Sequence, residues 1–473
     1  MFIRIRLVFL LVLVLLPWQR QAAAYSLLTH EQLIDLTWRD SIVPLLLSRY
    51  PTLTPAELEQ ARAYAYGGCV IQDIGYYPFG DRSLSNLTHY VRSGDFVVNL
   101  FRNASNANEL AFAVGALSHY IGDSVGHSTA TNFAVAVEFP KLGAKFGPAV
   151  NYAQGRHQHI QTEFAFDIDE IAHRRTAPVH YLRQVGLEVP VRQLALAYYQ
   201  TYGLREDFSG TRGRRFNVRD YRFAVRNFIP RIAYALTLLH RNHEPAEAAT
   251  PERVEFEKEV AAVAAENNWD AYRHKGGIGT WSLAGLIFVT PKIGALKMLA
   301  VKGPTEETEA EYLHSVLLSA SALRQTLARF TPPNAAGKTG ERATTSEIRA
   351  ATPAVNPTAT LDGSRPARDP RHPLPNRDLD TGHVVQPGGY SLTDSTFADL
   401  LHRLTRTPNQ AIPPGIKEEI LAYYADPASP ITTKKDLAQW AQVQADLVTL
   451  AAMQTSTEPE PYQTYGDDAK STN

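Results

Sequence analysis

Cysteine is almost absent from this chain: Cys69 is the single one among 473 residues. No intrachain disulfide can form, so a large core or bound ions must hold the fold together wherever the protein works. An excess of charge is also missing, with 47 basic residues against 48 acidic ones. No basic stripe runs along any segment, which removes the electrostatic footprint of a duplex nucleic-acid binder. Stretches that alternate apolar and polar residues are few, which argues against sheet. Long apolar runs that could span a bilayer are lacking too: Leu7–Leu16 is too short, and Gly279–Ala300 is broken by Pro291, Lys292 and Lys297. That second run reads as a buried hairpin of two short helices rather than a surface that touches lipid.

The N-terminus has the form of a secretory signal peptide over residues 1–24. Arg4 and Arg6 precede the apolar run, and Ala22, Ala23 and Ala24 make a small-residue cleavage site. The mature chain is then expected to begin at Tyr25, secreted or periplasmic, and the near-absence of cysteine points to a bacterial source. Helix-period apolar patterns fill residues 25 to about 330: Glu31–Leu47, Pro55–Tyr66, Asn108–Thr129, His157–His173, Arg192–Tyr202, Val218–His240, Pro251–Asn268 and Glu306–Phe330. From 331 to 390, Pro, Thr, Ala, Arg and Asp dominate, the composition of a disordered linker. A small helical unit is expected over 391–454, and a disordered tail beyond 455. The expected class is all-α and multi-helical. Nothing in the sequence sets an oligomeric state.

The most informative residues are ionisable and recur once per helical turn. His119, Asp123 and His127 stand four apart, and His159 and Glu163 repeat the spacing. Positions four apart share one helix face, so each set aims its side chains one way. Imidazole and carboxylate are zinc ligands. Eight residues of helix cover roughly 12 Å at about 1.5 Å per residue, whereas zinc bonds are about 2.0–2.2 Å long, so one ion cannot serve both His119 and His127. Several ions bridged by Asp123, or none, are the choices. The run Ala111–Leu117 before the first donor is almost wholly apolar, and Gly115, Gly122 and Gly126 each cost about 1 kcal/mol of helix propensity, which implies close approach of another element. A buried ionisable stripe needs compensation, and metal ions supply it.

These residues resemble the zinc-dependent phospholipase C superfamily, which includes the S1/P1-type nucleases and the catalytic domain of glycosylphosphatidylinositol phospholipase D. The resemblance covers about residues 25 to 170. It implies a helical domain with three zinc ions held by the mature N-terminal amine, histidines and carboxylates. Tyr25 with His30 is similar to the family's N-terminal pair. Asp73, within Gly67–Pro78, is similar to the early carboxylate, and His89 to the histidine after it. His119, Asp123 and His127 match the central helix, and His159 with Glu163 the late pair, ahead of His157, which lacks an acid four residues on. Three residues separate Asp123 from His127, where bacterial phospholipases C and the nucleases have five. The shorter spacing is similar to the phospholipase D branch.

The resemblance distributes the ligands over three ions: Asp73, His89, His119 and Asp123; His127, His159 and Glu163; and Tyr25, His30 and Asp123. It implies a phosphodiesterase acting on phospholipids or lipid-linked phosphodiesters through a zinc-activated water, with Asp73 as orienting group or base and peripheral contact with a membrane. A 3′-nuclease or nucleotidase and a non-catalytic helical surface protein with structural metals are the competing expectations.

Overall fold

The computed structural model describes residues 26–76, 80–208, 218–240, 250–273, 277–290, 301–329 and 372–456. The signal-peptide residues, Tyr25, most of the expected linker and the tail beyond 456 lie outside them. Among the described residues the fold is all-α. The only β-type pairings there are two isolated bridges, Arg377 with Val384 and Ile412 with Thr455.

The body is built around one buried helix, α4. Its approaches are made by α1 (Leu27–Thr37), α2 (Pro55–Cys69) and α3 (Arg82–Tyr90), and α4 itself runs from Ala107 to Gly126. Asn106 caps α4 by accepting from the Glu109 amide at 3.0 Å, and the run Ala111–Leu117 is buried on every side. A helix apolar all round belongs inside a protein. Gly68 of α2 and Gly115 of α4 let the two backbones touch. A Cβ at Gly115 would collide with the Ala65 carbonyl, and one at Gly68 with the Phe112 carbonyl. The close approach expected at Gly115 is thus observed, and it puts Cys69 beside the donor stripe.

At His127 the winding widens into a π-helical turn over His127–Thr131 before α-helix resumes at Asn132. Such turns cluster at functional sites because they re-aim a side chain without ending the helix. Helix α5 (Tyr152–Ala172) starts from a reciprocal cap between Asn151 and Gln154. It packs on α6 (Ile229–His240), and α7 (Ile278–Val289) packs on α6 in the same apolar cluster. Helix α8 (Glu306–Ala328) closes the body against α4 and α1.

Two sequence expectations need correction. Helix α7 is only half buried, with Trp281, Phe288 and Val289 exposed, and the second half of the expected hairpin falls outside the described residues. Residues 372–390, read as the end of a linker, lie against the body. Ser93 Oγ donates to the Arg377 carbonyl at 2.6 Å, Tyr120 Oη to the Pro375 carbonyl at 2.7 Å, and the Leu379 amide to the His89 carbonyl at 3.0 Å. Composition could not reveal this, because the segment adds little core and is held by backbone hydrogen bonds. Helices α9 (Ser391–Thr405) and α10 (Leu437–Ala452) follow within the small C-terminal unit, where Phe397 stacks on Tyr423 with ring centroids 3.8 Å apart. Asp436 caps α10 by accepting from the Ala438 and Gln439 amides.

Candidate metal centre

Helix α1 brings in His30, a 3₁₀ turn over Gln72–Gly75 brings Asp73, α3 brings His89, α4 brings His119 and Asp123, and α5 brings His159 and Glu163. His127 enters from the π-helical turn. Their ligand atoms fall into three groups, each within 4.8 Å: Asp73, His89 and His119; His30, His119 and Asp123; and His127, His159 and Glu163. All eight of these expected donors are fully buried. Tyr25 lies outside the described residues, and His157 is in none of the groups.

The hydrogen bonds decide which nitrogen each imidazole offers. His89 Nδ1 donates to the Ser85 carbonyl at 2.7 Å, His119 Nδ1 to Cys69 at 2.9 Å and His127 Nδ1 to Leu379 at 2.8 Å. Each therefore keeps Nε2 for the site, the usual way a backbone carbonyl fixes a metal-binding histidine. His159 is turned the other way. Its Nε2 donates to Asn132 Oδ1 at 2.9 Å, which leaves Nδ1, 2.6 Å from Glu163 Oε1, facing the third group.

Asp123 stands between two groups. Its Oδ1 is 3.2 Å from His30 Nε2, and its Oδ2 is 3.1 Å from His119 Nε2 and 3.3 Å from His89 Nε2. One oxygen thus faces each group, which is the arrangement of a bridging carboxylate. The imidazoles close to it are not aligned to donate: neither oxygen of Asp73 or Asp123 accepts a hydrogen bond, and His127 Nε2 makes none. Buried carboxylates left so cost several kcal/mol unless a cation satisfies them. Zinc fits this donor set of imidazoles and carboxylates.

The field at the site is one that demands positive charge. Burial works against the His89 cation, yet Asp123 and Asp73 push its pKa up to about 10. Burial also opposes the Asp123 anion, but His119 and His30 hold that carboxyl well below its usual range. Burial pushes Glu163 well above the usual carboxylate range, reinforced by Asp123. His30 and His159 are driven down by burial and by the neighbouring His119 and His127 respectively.

Sequence reasoning did not find the residues that hold the donors. Asp167, one turn beyond Glu163 on the same face of α5, accepts from the Leu28 amide at 3.1 Å and from the Thr29 amide at 3.2 Å. It ties the start of α1, and so His30, to the helix of the third group. The helical rhythm 159, 163, 167 was its available signal. Asn132, Leu379 and Asp380 had none. The Asp380 carbonyl accepts from Asn132 Nδ2 at 2.9 Å, and its carboxylate accepts Tyr390 Oη at 2.5 Å and Tyr90 Oη at 3.0 Å.

Two further clusters carry enough donors for a metal: Asp95, His372 and Glu419, and Asp169, His173 and Glu309. Both already hold a cation. Arg92 lies 2.8 Å from Asp95 and 3.0 Å from Glu419, and Arg175 lies 2.6 Å from Asp169 and 2.9 Å from Glu309.

The all-α body holds three imidazole–carboxylate groups, two of them sharing a buried aspartate, the donor arrangement of a centre for more than one metal ion. The comparison with known families gives the class: residues 29–206 match the family model described as zinc dependent phospholipase C. All eight described donors lie within the matched residues. The protein is an enzyme of the zinc-dependent phospholipase C and phosphodiesterase type, and its substrate is in general a phosphodiester of the phospholipid kind. No curated protein and no solved structure matches the chain.

Proposed function

We propose that this protein is an exported enzyme that uses three zinc ions to hydrolyse phospholipids or lipid-linked phosphodiesters. The observation that carries the reading is Asp123, a buried carboxylate with one oxygen toward each of two donor groups and no hydrogen bond to either. In this reading Asp73, His89, His119 and Asp123 hold one ion, and His127, His159 and Glu163 a second. His119 has one nitrogen to give, since Nδ1 is used by Cys69. It therefore serves a single ion, and His30 with the other oxygen of Asp123 is left to a third. That third set has only two described donors. The α-amine of Tyr25, freed by cleavage after Ala24, would complete it; the helix that follows has Ser26 at its N-cap position and is tied to Asp167 through the Leu28 and Thr29 amides.

When bound, zinc lowers the pKa of a coordinated water to about 7 and neutralises phosphoryl oxygens. The chain's own residues do the rest. Asp123 offers one oxygen to each of two donor groups and would be shared between them, and the Ser85, Cys69 and Leu379 carbonyls lock three imidazoles in the tautomer that presents Nε2. Asp73, whose oxygens accept no hydrogen bond, would orient the attacking water or take its proton at a carboxylate oxygen.

Product analysis of the zinc-loaded mature protein on mixed phospholipids tests the reading. Release of diacylglycerol establishes cleavage on the glycerol side of phosphorus, and phosphatidate cleavage on the head-group side. Chelation should abolish either. Hydrolysis of single-stranded nucleic acid with no lipid product would replace the lipid reading by the nuclease one.

A further inference from the structure

The group His127, His159 and Glu163 is finished by a loop that lies outside residues 29–206, the part of the chain matched to the family. Residues 376–385 turn back on themselves. Arg377 bridges Val384, the Asp378 amide donates to the His383 carbonyl at 3.0 Å, and the Val385 amide to the Asn376 carbonyl at 2.9 Å. The Gly382 amide closes the tip on the Asp378 carbonyl at 2.9 Å. The inner arm, Arg377–Asp380, is buried, while His383 and Val384 on the return are exposed. Gly382 lets the loop seat: its φ is +72°, and a Cβ there would stand 2.4 Å from the carbonyl oxygen of Ser124, the residue after Asp123.

Two consecutive carbonyls of this loop orient two of the three donors. The Leu379 carbonyl accepts His127 Nδ1 at 2.8 Å. The Asp380 carbonyl accepts Asn132 Nδ2 at 2.9 Å, and Asn132 Oδ1 accepts His159 Nε2 at 2.9 Å. A backbone carbonyl points where its loop is held, and the Asp380 side chain does the holding. Its Oδ2 accepts Tyr90 Oη at 3.0 Å and Tyr390 Oη at 2.5 Å, and Tyr390 Oη accepts the Ala153 amide at 3.2 Å. Tyr90 follows His89 on α3, Tyr390 precedes α9, and Ala153 lies in the first turn of α5, the helix of His159 and Glu163. One carboxylate oxygen, in bonds strengthened by its charge, thus ties three elements around the donor group. We infer that Asp380 is a positioning residue of the metal centre: clasped by Tyr90 and Tyr390, it sets the two carbonyls that aim His127 and His159. The inference rests on the multi-ion reading of the centre and deepens it, since one ion position then depends on a loop outside the matched region. The rings of His89 and His119 are aimed by the Ser85 and Cys69 carbonyls, which the clasp does not touch, so its loss acts on that one position.

The test titrates the full mature chain, stripped of metal, with zinc against a chromophoric chelator. Thermal melting and hydrolysis of bis(p-nitrophenyl) phosphate are followed on the same samples. Y90F/Y390F keeps both rings and the carboxylate and removes only the two hydroxyls, D380A removes the carboxylate, and D380N returns an acceptor oxygen. In Y90F/Y390F and in D380A, one zinc ion per chain should bind at least about tenfold more weakly than in the wild type, with the others unchanged. Turnover should fall at limiting zinc and recover in excess zinc, and D380N should stand between D380A and the wild type. H402A, which breaks a 3.1 Å contact with Asp446 elsewhere in the C-terminal unit, should titrate like the wild type. A residue that only stabilised the fold would lower the melting temperature and leave the zinc affinity of the folded protein alone. Should D380A fail to fold, Y90F/Y390F carries the decision. Wild-type affinity for every ion in Y90F/Y390F, or equal weakening of all of them, overturns the inference alone. A wild type that takes up no zinc strikes the proposed function, and the inference with it.

Discussion

Helix α1 carries buried charge to two regions of the molecule, and the regions neutralise it differently. On one side Asp35 meets Arg62 Nη2 at 2.5 Å and Tyr66 Oη at 2.5 Å, and Glu31 pairs with Arg226. Nearby, Arg175 and Arg253 share Glu309. Every one of these carboxylates has a guanidinium of its own. On the other side, one turn away at His30, lie Asp73, Asp123 and Glu163, and among the described residues neither lysine nor arginine pairs with any of them. The first region is neutralised within the protein, although one oxygen each of Glu31 and Asp35 accepts no hydrogen bond. The second has the donors to take cations from solution, and that distinguishes a candidate site from a buried ion-pair network.

The sharpest way to break this contrast is to remove the bridge. D123N should lower turnover about a thousandfold or more, since two ion positions lose a shared anionic ligand. Zinc content by mass spectrometry should fall alongside it, and a variant with full zinc and wild-type turnover would remove Asp123 from the account. R62M should do the reverse. Leaving Asp35 buried without its guanidinium costs about 3–5 kcal/mol of stability by denaturant melt, while zinc content per folded molecule stays unchanged. If R62M lost zinc in the folded state, the two regions would not be independent.

Glu138 represents a third solution, the retained proton. It is largely buried, with Thr308 Oγ1 donating to it at 2.9 Å, and burial pushes its pKa up to about 7 against a usual 4.5. The folded state therefore holds the proton more tightly than the unfolded chain. The resulting stability is fully present below about pH 4.5 and lost as pH rises to about 7. E138Q, which keeps the acceptor, should be more stable than the wild type by about 2–3 kcal/mol at pH 8 and nearly equal at pH 4. Melts at both pH values decide it, and a variant less stable at pH 8 would show that the ionised form is the one the fold prefers. The smallest expected effect is at the support of the site. N132A removes the partner of His159 Nε2 and should weaken zinc binding about 10–100-fold without unfolding the protein, read by competition with a chelator. Unchanged affinity would mean that the π-helical turn alone positions the third group.

The donors were legible in sequence because they obey a helical period: His119, Asp123 and His127 on one helix, and His159 and Glu163 on another, are visible without any tertiary information. The resemblance added His30, Asp73 and His89. What was not legible is the layer behind them. The carbonyls of Ser85, Cys69 and Leu379 carry no residue signature, since any amino acid can present one. Leu379 and Asp380 come from more than 200 residues away and from a stretch whose composition reads as linker. Helices α3 and Ser93–Arg102, which present His89 and the Arg92 cluster, were missed because each is only about three turns long. Helix α7 misled in the opposite direction. Its composition is that of a core helix, and only the fold reveals that half of it faces outward.

The most direct test is a zinc titration of the metal-stripped mature protein, with bound zinc and phosphodiester hydrolysis followed together. The account predicts no hydrolysis by the stripped protein, activity that rises only as the linked positions fill, and saturation at three ions per chain. Hydrolysis without metal, or full loading that leaves every phosphodiester intact, would contradict it.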